Sequence, residues 1–551
     1  MKSIKMLRTY LAFFSLLLII FVACDDVRNV KEVTIQDIQK YLSEISSDKY
    51  EGRKPFTEGE EKTVKYLQQE LERMGVAPGN GGSYIQEVPL VEITGHPDTS
   101  MYFNSPEAEI VLNLKKDFVC YTERIEETVK IEDSEVVFCG FGITAPEYDW
   151  DDFEGVDVKG KTIIVLVNDP GFGGEDESFF KGNTMTYYGR WTYKYEEAAR
   201  QGAAAVLIIH ETASAGYPWF VVEGAASGAK LNLKPNQETS YKAGVQGWIS
   251  LDMAKSIFEK AGFDLGSEIR KARTKAFEPF SLGYTMSHTL HNMFKYDQSR
   301  NVIGILPGTT SPEEYLIFSA HWDHLGIGKT VDGDSIYNGA LDNGSGIASV
   351  LSIAKAMSQS PALERSVVFL FVTAEEQGLL GSQYYAENPI FPVDLTVANL
   401  NLDGMNPFGP MKYLTITGIG HSEMDDYARE EAAKQGRDIL PDQEPEKGYF
   451  FRSDHFNFAK VGIPALYAEG AYEHMELGKE YVKDKRADYV ANRYHQPADE
   501  YVAEDWDLRG IAQDAQFDLN VANRLGNEKT WPEWKEGSEF KNIRNQSKLK
   551  N

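Results

Sequence analysis

Three apolar runs of strand length, each closing on acids or histidine, organise the C-terminal half of the chain. YLIFSA (315–320) leads into His321 and Asp323, SVVFLFVTA (366–374) into Glu375 and Glu376, and TVANLNL (396–402) into Asp403. Unbroken apolar runs of this length predict buried strands, and polar residues at their carboxyl ends place the chemistry on one sheet edge. NGALDNGSG (338–346) adds Asp342 in a Gly-rich turn, just before an apolar helix predicted over 347–357. RNVIGILPG (300–308) predicts one more strand of the same sheet.

Upstream the period changes. Ile38, Tyr41, Leu42 and Ile45 recur at helical spacing over 37–45, and Val64, Tyr66, Leu67, Leu71 and Met74 do so over 59–74, with Gly75 as a stop. SDKYEGRKPFTEGE (47–60) between them reads as a loop. VVFCGFGI (136–143) and KTIIVLV (161–167) predict buried strands, and EEAARQGAAAVLIIH (196–210) a helix, a Gly turn and another strand. This small αβ module ends near 277–282, so the chain reads as an α/β protein whose main domain is interrupted by an insert. After Trp534 the sequence is polar and is expected to fray.

The N-terminus is an address. Lys2, Lys5 and Arg8 precede an apolar run over 11–23, too short for a comfortable membrane span, and Cys24 follows Val22 and Ala23. That arrangement resembles the bacterial lipobox, which implies acylation of Cys24 and a mature protein anchored to the cell envelope, outside the cytoplasm. Removing the three basic residues leaves 53 Lys and Arg against 84 Asp and Glu, a net charge of −31. Such a balance argues against a nucleic-acid partner, which requires basic patches. Cys120 and Cys139 can pair in an oxidising compartment or remain buried thiols.

Clustered carboxylates with imidazole require a cation. His321 and Asp323, two apart at a strand end, face the same side, so one can bind metal while the other orients a ligand. Glu375 and Glu376 are adjacent and point apart, so one can bind metal while its neighbour acts as a base. Asp342 is placed to bridge two ions, and His495 in RYHQPADE (493–500) offers a second imidazole. Imidazole plus carboxylate without cysteine suits a catalytic zinc site.

Other motifs carry less. His210 and Glu211 open like a zinc-protease helix, but Ser214 stands where the second histidine belongs. No Gly-x-Ser-x-Gly elbow occurs. VDGDS (331–335) reads as a turn, and His288, His291 and His421 as core or rim residues.

Taken together, SDKYEGRKPFTEGEEKTVKYL near the start, the metal pattern, and RSDHFNFAKVGIPAL (452–466) resemble the di-zinc exopeptidases of metallopeptidase family twenty-eight, from about residue 35 to 534. That family holds bacterial leucine-type aminopeptidases and relatives of glutamate carboxypeptidase and the transferrin receptor. The insert resembles a protease-associated (PA) domain through its GAAAVLII core (202–209). The resemblance implies a mixed central sheet flanked by helices, of zinc-exopeptidase type, with a smaller, mainly β insert. Behind the lipoprotein signal peptide read over 1–24, it implies catalytic-domain segments over 32–115 and 285–536, the insert over 116–284 and a polar tail over 537–551.

Residue by residue, it makes Asp342 the bridge between two zinc ions. His321 and Asp403 complete one position, Glu376 and His495 the other. Glu375 becomes general base and acid, and Asp323 the group that orients His321. Tyr449 and the loop Arg452, Asp454 and His455 become candidate substrate contacts. The complete ligand set separates the chain from receptor-like binding modules. The expected activity is aminopeptidase action on peptides. Arg190, Arg452 and Arg493 leave a glutamate-type carboxypeptidase as one alternative, because such an enzyme must grip a carboxylate, and a non-catalytic receptor-like binding module is the other.

Overall fold

The computed structural model describes residues 30–226, 228–235 and 241–549. Cys24 and the rest of the proposed leader lie outside them. Among the described residues no helix is long and apolar enough to cross a membrane.

The helices Ile35–Ile45 and Glu58–Met74 form where the 3.6-residue period predicts them, with Thr34 capping the first through the N–H of Asp37 and Gly75 (φ 75°) ending the second. Their apolar faces join a core containing Leu351, Phe369, Leu400 and Phe517. In the sheet beside that core, Ser311–His321 lies between Arg365–Val372 and Thr396–Asn401, parallel to both. Thr396–Asn401 continues parallel to Ala465–His474. On the other side Arg365–Val372 runs antiparallel to the end of a long strand, Phe280–Leu306. The sheet is therefore mixed, and the helix Ser345–Ser358 is buried along nearly its whole length against it. Three neighbouring parallel strands end together, so His321, Glu375, Glu376 and Asp403 emerge at one edge.

The long strand also reaches the second half of the molecule. Residues 290–302 pair antiparallel with 97–85, while 280–291 pair with Thr128–Phe138. Beyond it, Thr128–Phe138, Thr162–Leu166, Ala205–His210 and Val245–Ser250 run parallel in that order. Two separate cores, one running from Met101 to Leu290 and the other from Val119 to Trp248, cover the faces of this sheet. The apolar run 136–143 is split: the strand stops at Phe138, and Gly142 (φ 64°) turns the chain where a Cβ would lie 2.7 Å from Val165 Cγ1.

The tail does not fray. Lys541–Leu549 is helical, Phe540 is buried, and the buried Arg544 donates to the carbonyls of Val393 and Thr396 at 2.8 Å. Arg544 looks like a solvated residue in sequence. It docks because carbonyls about 150 positions away complete its guanidinium.

Candidate metal centre

The site is built at the strand ends. Ser311–His321 delivers His321, buried to 1% exposure. Two residues on, the Asp323 carboxylate accepts the backbone N–H of Glu375 at 3.0 Å and that of Glu376 at 3.4 Å. Between the strand Arg365–Val372 and the two glutamates, Ala374 holds a positive φ of 52°. His495 does the same at 57°. Non-glycine residues in this region cost on the order of 1–3 kcal/mol and concentrate where function fixes the backbone.

His321 Nδ1 lies 3.1 Å from the Asp323 carbonyl oxygen. A carbonyl only accepts, so this nitrogen carries the proton, and in the neutral ring Nε2 is a bare lone pair. That lone pair faces Asp342 Oδ1 at 3.2 Å, Asp403 Oδ1 at 3.3 Å and Glu375 Oε2 at 3.9 Å. Acceptors gathered around an acceptor require a positive charge among them. Across the site His495 Nε2 lies 3.2 Å from both Asp342 Oδ2 and Glu376 Oε2. Two donors on one tetrahedral zinc, at bonds of 2.0–2.1 Å, stand about 3.3 Å apart. The observed separations match, so the residues fit zinc. Three-residue groups within metal-binding reach form at His321, Glu375 and Asp403, and at His324, Asp342 and Glu376.

Electrostatics follow the same geometry. Burial works to lower the His321 pKa, but the charges of Glu375 and Asp403 override it and raise it well above the usual range. Burial would raise Asp342, yet the imidazoles of His321 and His495 against its two oxygens hold it well below the normal carboxylate range. For Glu375 burial wins, with Glu376, Asp403 and Asp454 adding repulsion, and its pKa lies well above normal. Asp323 is pushed up to about 7, chiefly by burial.

The loop over 449–456 is divided. Ser453 donates to Asp403 Oδ2 at 2.6 Å, and Tyr467 to the Asp403 carbonyl at 2.9 Å. Asp454 is wholly buried; Ser382 donates to one oxygen at 2.5 Å and the other has no partner. His455 is buried with both ring nitrogens unpartnered. Tyr449 and Arg452 face outward, bonded to Glu444 and the Lys447 carbonyl, and among the described residues neither hydrogen bonds to the acid cluster.

Sequence reasoning missed four groups. His324 Nδ1 is 2.6 Å from Glu376 Oε1. Asp499 accepts the N–H groups of Leu341 and Asp342. Tyr494 stacks on His495 with ring centroids 3.9 Å apart. Arg53, 1% exposed, donates to the carbonyls of Ile45, Trp322, Asn338 and Gly339, stapling both ligand-bearing loops. His324 lies in HWDH (321–324) and Asp499 in YHQPAD (494–499), so their proximity to His321 and His495 was the available signal.

Residues 301–519 match peptidase family M28. All seven residues of the proposed metal and base set lie inside that match. Aminopeptidase NAALADL1 of Mus musculus is 32% identical over 136 residues, 23% of this chain and 17% of its own. The glutamate carboxypeptidase 2 homolog of Caenorhabditis briggsae is 32% identical over 150 residues, 26% of this chain and 18% of its own. The chain thus spans less than a fifth of the length of these relatives. Among solved structures, an aminopeptidase from Aneurinibacillus sp. strain AM-1 aligns over 92% of this chain and 97% of its own, with 18% identity and a TM-score of 0.47.

The remaining residues singled out in sequence have ordinary places. Glu211 caps a short helix through the N–H groups of Ala213 and Ser214. The segment 331–334 is the turn of a hairpin. His421 is buried and stacked on Phe450, His288 is buried beside Cys120, and His291 lies on the surface. Cys120 and Cys139 are free, buried thiols.

Proposed function

We propose that this chain is a zinc-dependent exopeptidase, an aminopeptidase that removes N-terminal residues from peptides and carries two zinc ions. The observation that carries the reading is the division of Asp342, which turns one oxygen to His321 and the other to His495, each at 3.2 Å. One carboxylate shared in this way is what a bridge between two ions needs. His321, Asp403 and Asp342 would hold one zinc, and Glu376, His495 and Asp342 the other. When bound, the pair supplies Lewis-acid polarisation of the scissile carbonyl and acidifies water toward a pKa of about 7.

The chain's own residues do the rest. Glu375, free of the bridging role, lies beside the cluster with Oε2 3.9 Å from His321 Nε2, placed to act as the base. It takes the proton of the attacking water and returns it to the leaving amine. Asp323 sets its backbone through the 3.0 Å bond. The carboxylates gathered at the site, Asp342, Glu375 and Asp403 among them, favour the free ammonium of a peptide N-terminus.

One observation sustains a glutamate-carboxypeptidase-like second reading. Arg493 is paired with Asp488 and Asp505, whereas Arg190 and Arg452 have no acid partner among the described residues. In that reading one of these two guanidiniums would meet the substrate carboxylate. The segment 116–284 is read as a PA-like insert, and the lipobox-like pattern at Cys24 supports an envelope location through a lipid anchor.

The deciding experiment is a panel of aminoacyl and N-blocked peptides, with and without chelator, beside zinc analysis. Cleavage restricted to free N-termini supports the aminopeptidase, cleavage of N-blocked peptides from the C-terminus the carboxypeptidase. A protein with two zinc ions that cleaves neither would be a binding module.

A further inference from the structure

His324 lies where the chain leaves the central strand, and its side chain is fully buried. Its backbone N–H donates to the Arg53 carbonyl at 3.3 Å, and Gly339 packs so closely that a Cβ there would sit 2.5 Å from His324 Cγ. The ring meets His495 edge-on, with centroids 5.7 Å apart. It is therefore held from three sides, with Nδ1 turned to Glu376 Oε1 at 2.6 Å and Nε2 buried without a partner.

Distance decides what this contact is. Two ligands of one zinc stand about 3.3 Å apart. The His495–Glu376 separation of 3.2 Å fits a shared ion; the His324–Glu376 separation of 2.6 Å is that of a hydrogen bond to a carboxylate. Glu376 is thus divided as Asp342 is, Oε1 taken by His324 and Oε2 turned toward His495. A carboxylate with one oxygen pinned cannot rotate its other oxygen away.

We propose that His324 is a positioning residue for the second zinc, its Nδ1–H fixing Glu376 so that Oε2 stays aimed at the position shared with His495 and Asp342. The inference rests on the reading of Glu376 and His495 as zinc ligands. Outer partners of this kind change metal affinity by about 10–100-fold when removed.

The test is zinc binding to chelator-stripped full-length protein, by competition with a chromophoric chelator, for wild type, His324→Ala, His324→Asn and His324→Gln, each with a thermal melt. Asparagine can place an N–H where Nδ1–H lies, and glutamine places its amide nearer Nε2. Expected is two zinc ions on wild type, with the second weakened about 10–100-fold in His324→Ala and the first unchanged. Asparagine restores the second affinity and glutamine does not. Unchanged binding in His324→Ala, or equal loss in the asparagine and alanine variants, would overturn the inference while leaving the parent reading intact. Should His324→Ala fail to fold, the asparagine–glutamine comparison decides. Wild type that binds one zinc or none would overturn both.

Discussion

Asp323 accepts the backbone N–H of Glu375 at 3.0 Å, coupling the end of one central strand to the turn that follows its neighbour. The second Asp323 oxygen takes the Glu376 N–H at 3.4 Å, so one carboxylate sets the direction of both glutamates. Asp323→Ala is expected to release that turn and lower kcat/KM by about 10–100-fold, the usual effect of losing a group that orients the site. Kinetics on a free-amine peptide, beside zinc analysis, measure this. Wild-type kcat/KM in the variant would show that the turn holds without the carboxylate.

Glu375→Gln removes the proton acceptor and keeps the shape. Glu375 is in neither half of the divided Asp342 arrangement, so both zinc ions should be retained. The rate should fall at least about a hundredfold, the usual worth of a positioned base. A variant with full metal content and near-wild-type turnover would transfer the role to another group.

The buried imidazole of His421 gives a pH prediction. It stacks on Phe450 with centroids 4.8 Å apart, and Lys181 Nζ lies 3.1 Å from its Nε2. Burial, helped by the Lys181 charge, lowers its pKa to about 3. A base with a lowered folded pKa binds fewer protons folded than unfolded between about pH 3 and 6.5. Stability from this group is therefore fully present above pH 6.5 and is lost as the pH falls through that window. At pH 5 the loss is about 2 kcal/mol. Melts from pH 7 to 5 should show the decline, and His421→Phe should flatten it; an equal slope in both would assign the decline elsewhere.

Much of the site was legible because parallel strands buried on both faces must be continuous apolar runs, and acids directly after them cannot be core. His321, Glu375, Glu376 and Asp403 were found that way. Arg53 was not. In EGRKP it has the composition of a solvated loop, and only the fold brings the Trp322, Asn338 and Gly339 carbonyls, at least 269 positions away, onto its guanidinium. His324 was hidden for a different reason. HWDH offers two imidazoles, and spacing alone does not say which faces Glu376.

The aromatic stretch GNTMTYYGRWTYKYEEA (182–198) gives the last prediction. Met185 packs among Phe450, Phe451, Phe456, Trp534 and Phe540, and its N–H donates to the Pro445 carbonyl at 3.1 Å. Gly448 (φ 61°) makes room, since a Cβ there would sit 2.5 Å from Met185 Sδ. Lys460 pairs with Glu196 at 2.7 Å and Lys181 with Glu539 at 3.3 Å, closing the same contact electrostatically. The loop so gripped carries Ser453, whose hydroxyl holds Asp403 Oδ2. Residues 181–196 contribute none of the proposed zinc ligands, yet they brace the segment that orients one of them. Met185→Ala leaves a cavity costing about 2–5 kcal/mol, as for other buried methionines, and most of that cost falls on the grip. The expected variant is folded, with a raised KM for peptides and earlier proteolytic cleavage near residues 442–452. Met185→Leu, which conserves volume, should stay close to wild type. If Met185→Ala keeps the wild-type KM and cleavage pattern, the Met185 segment does not brace the loop.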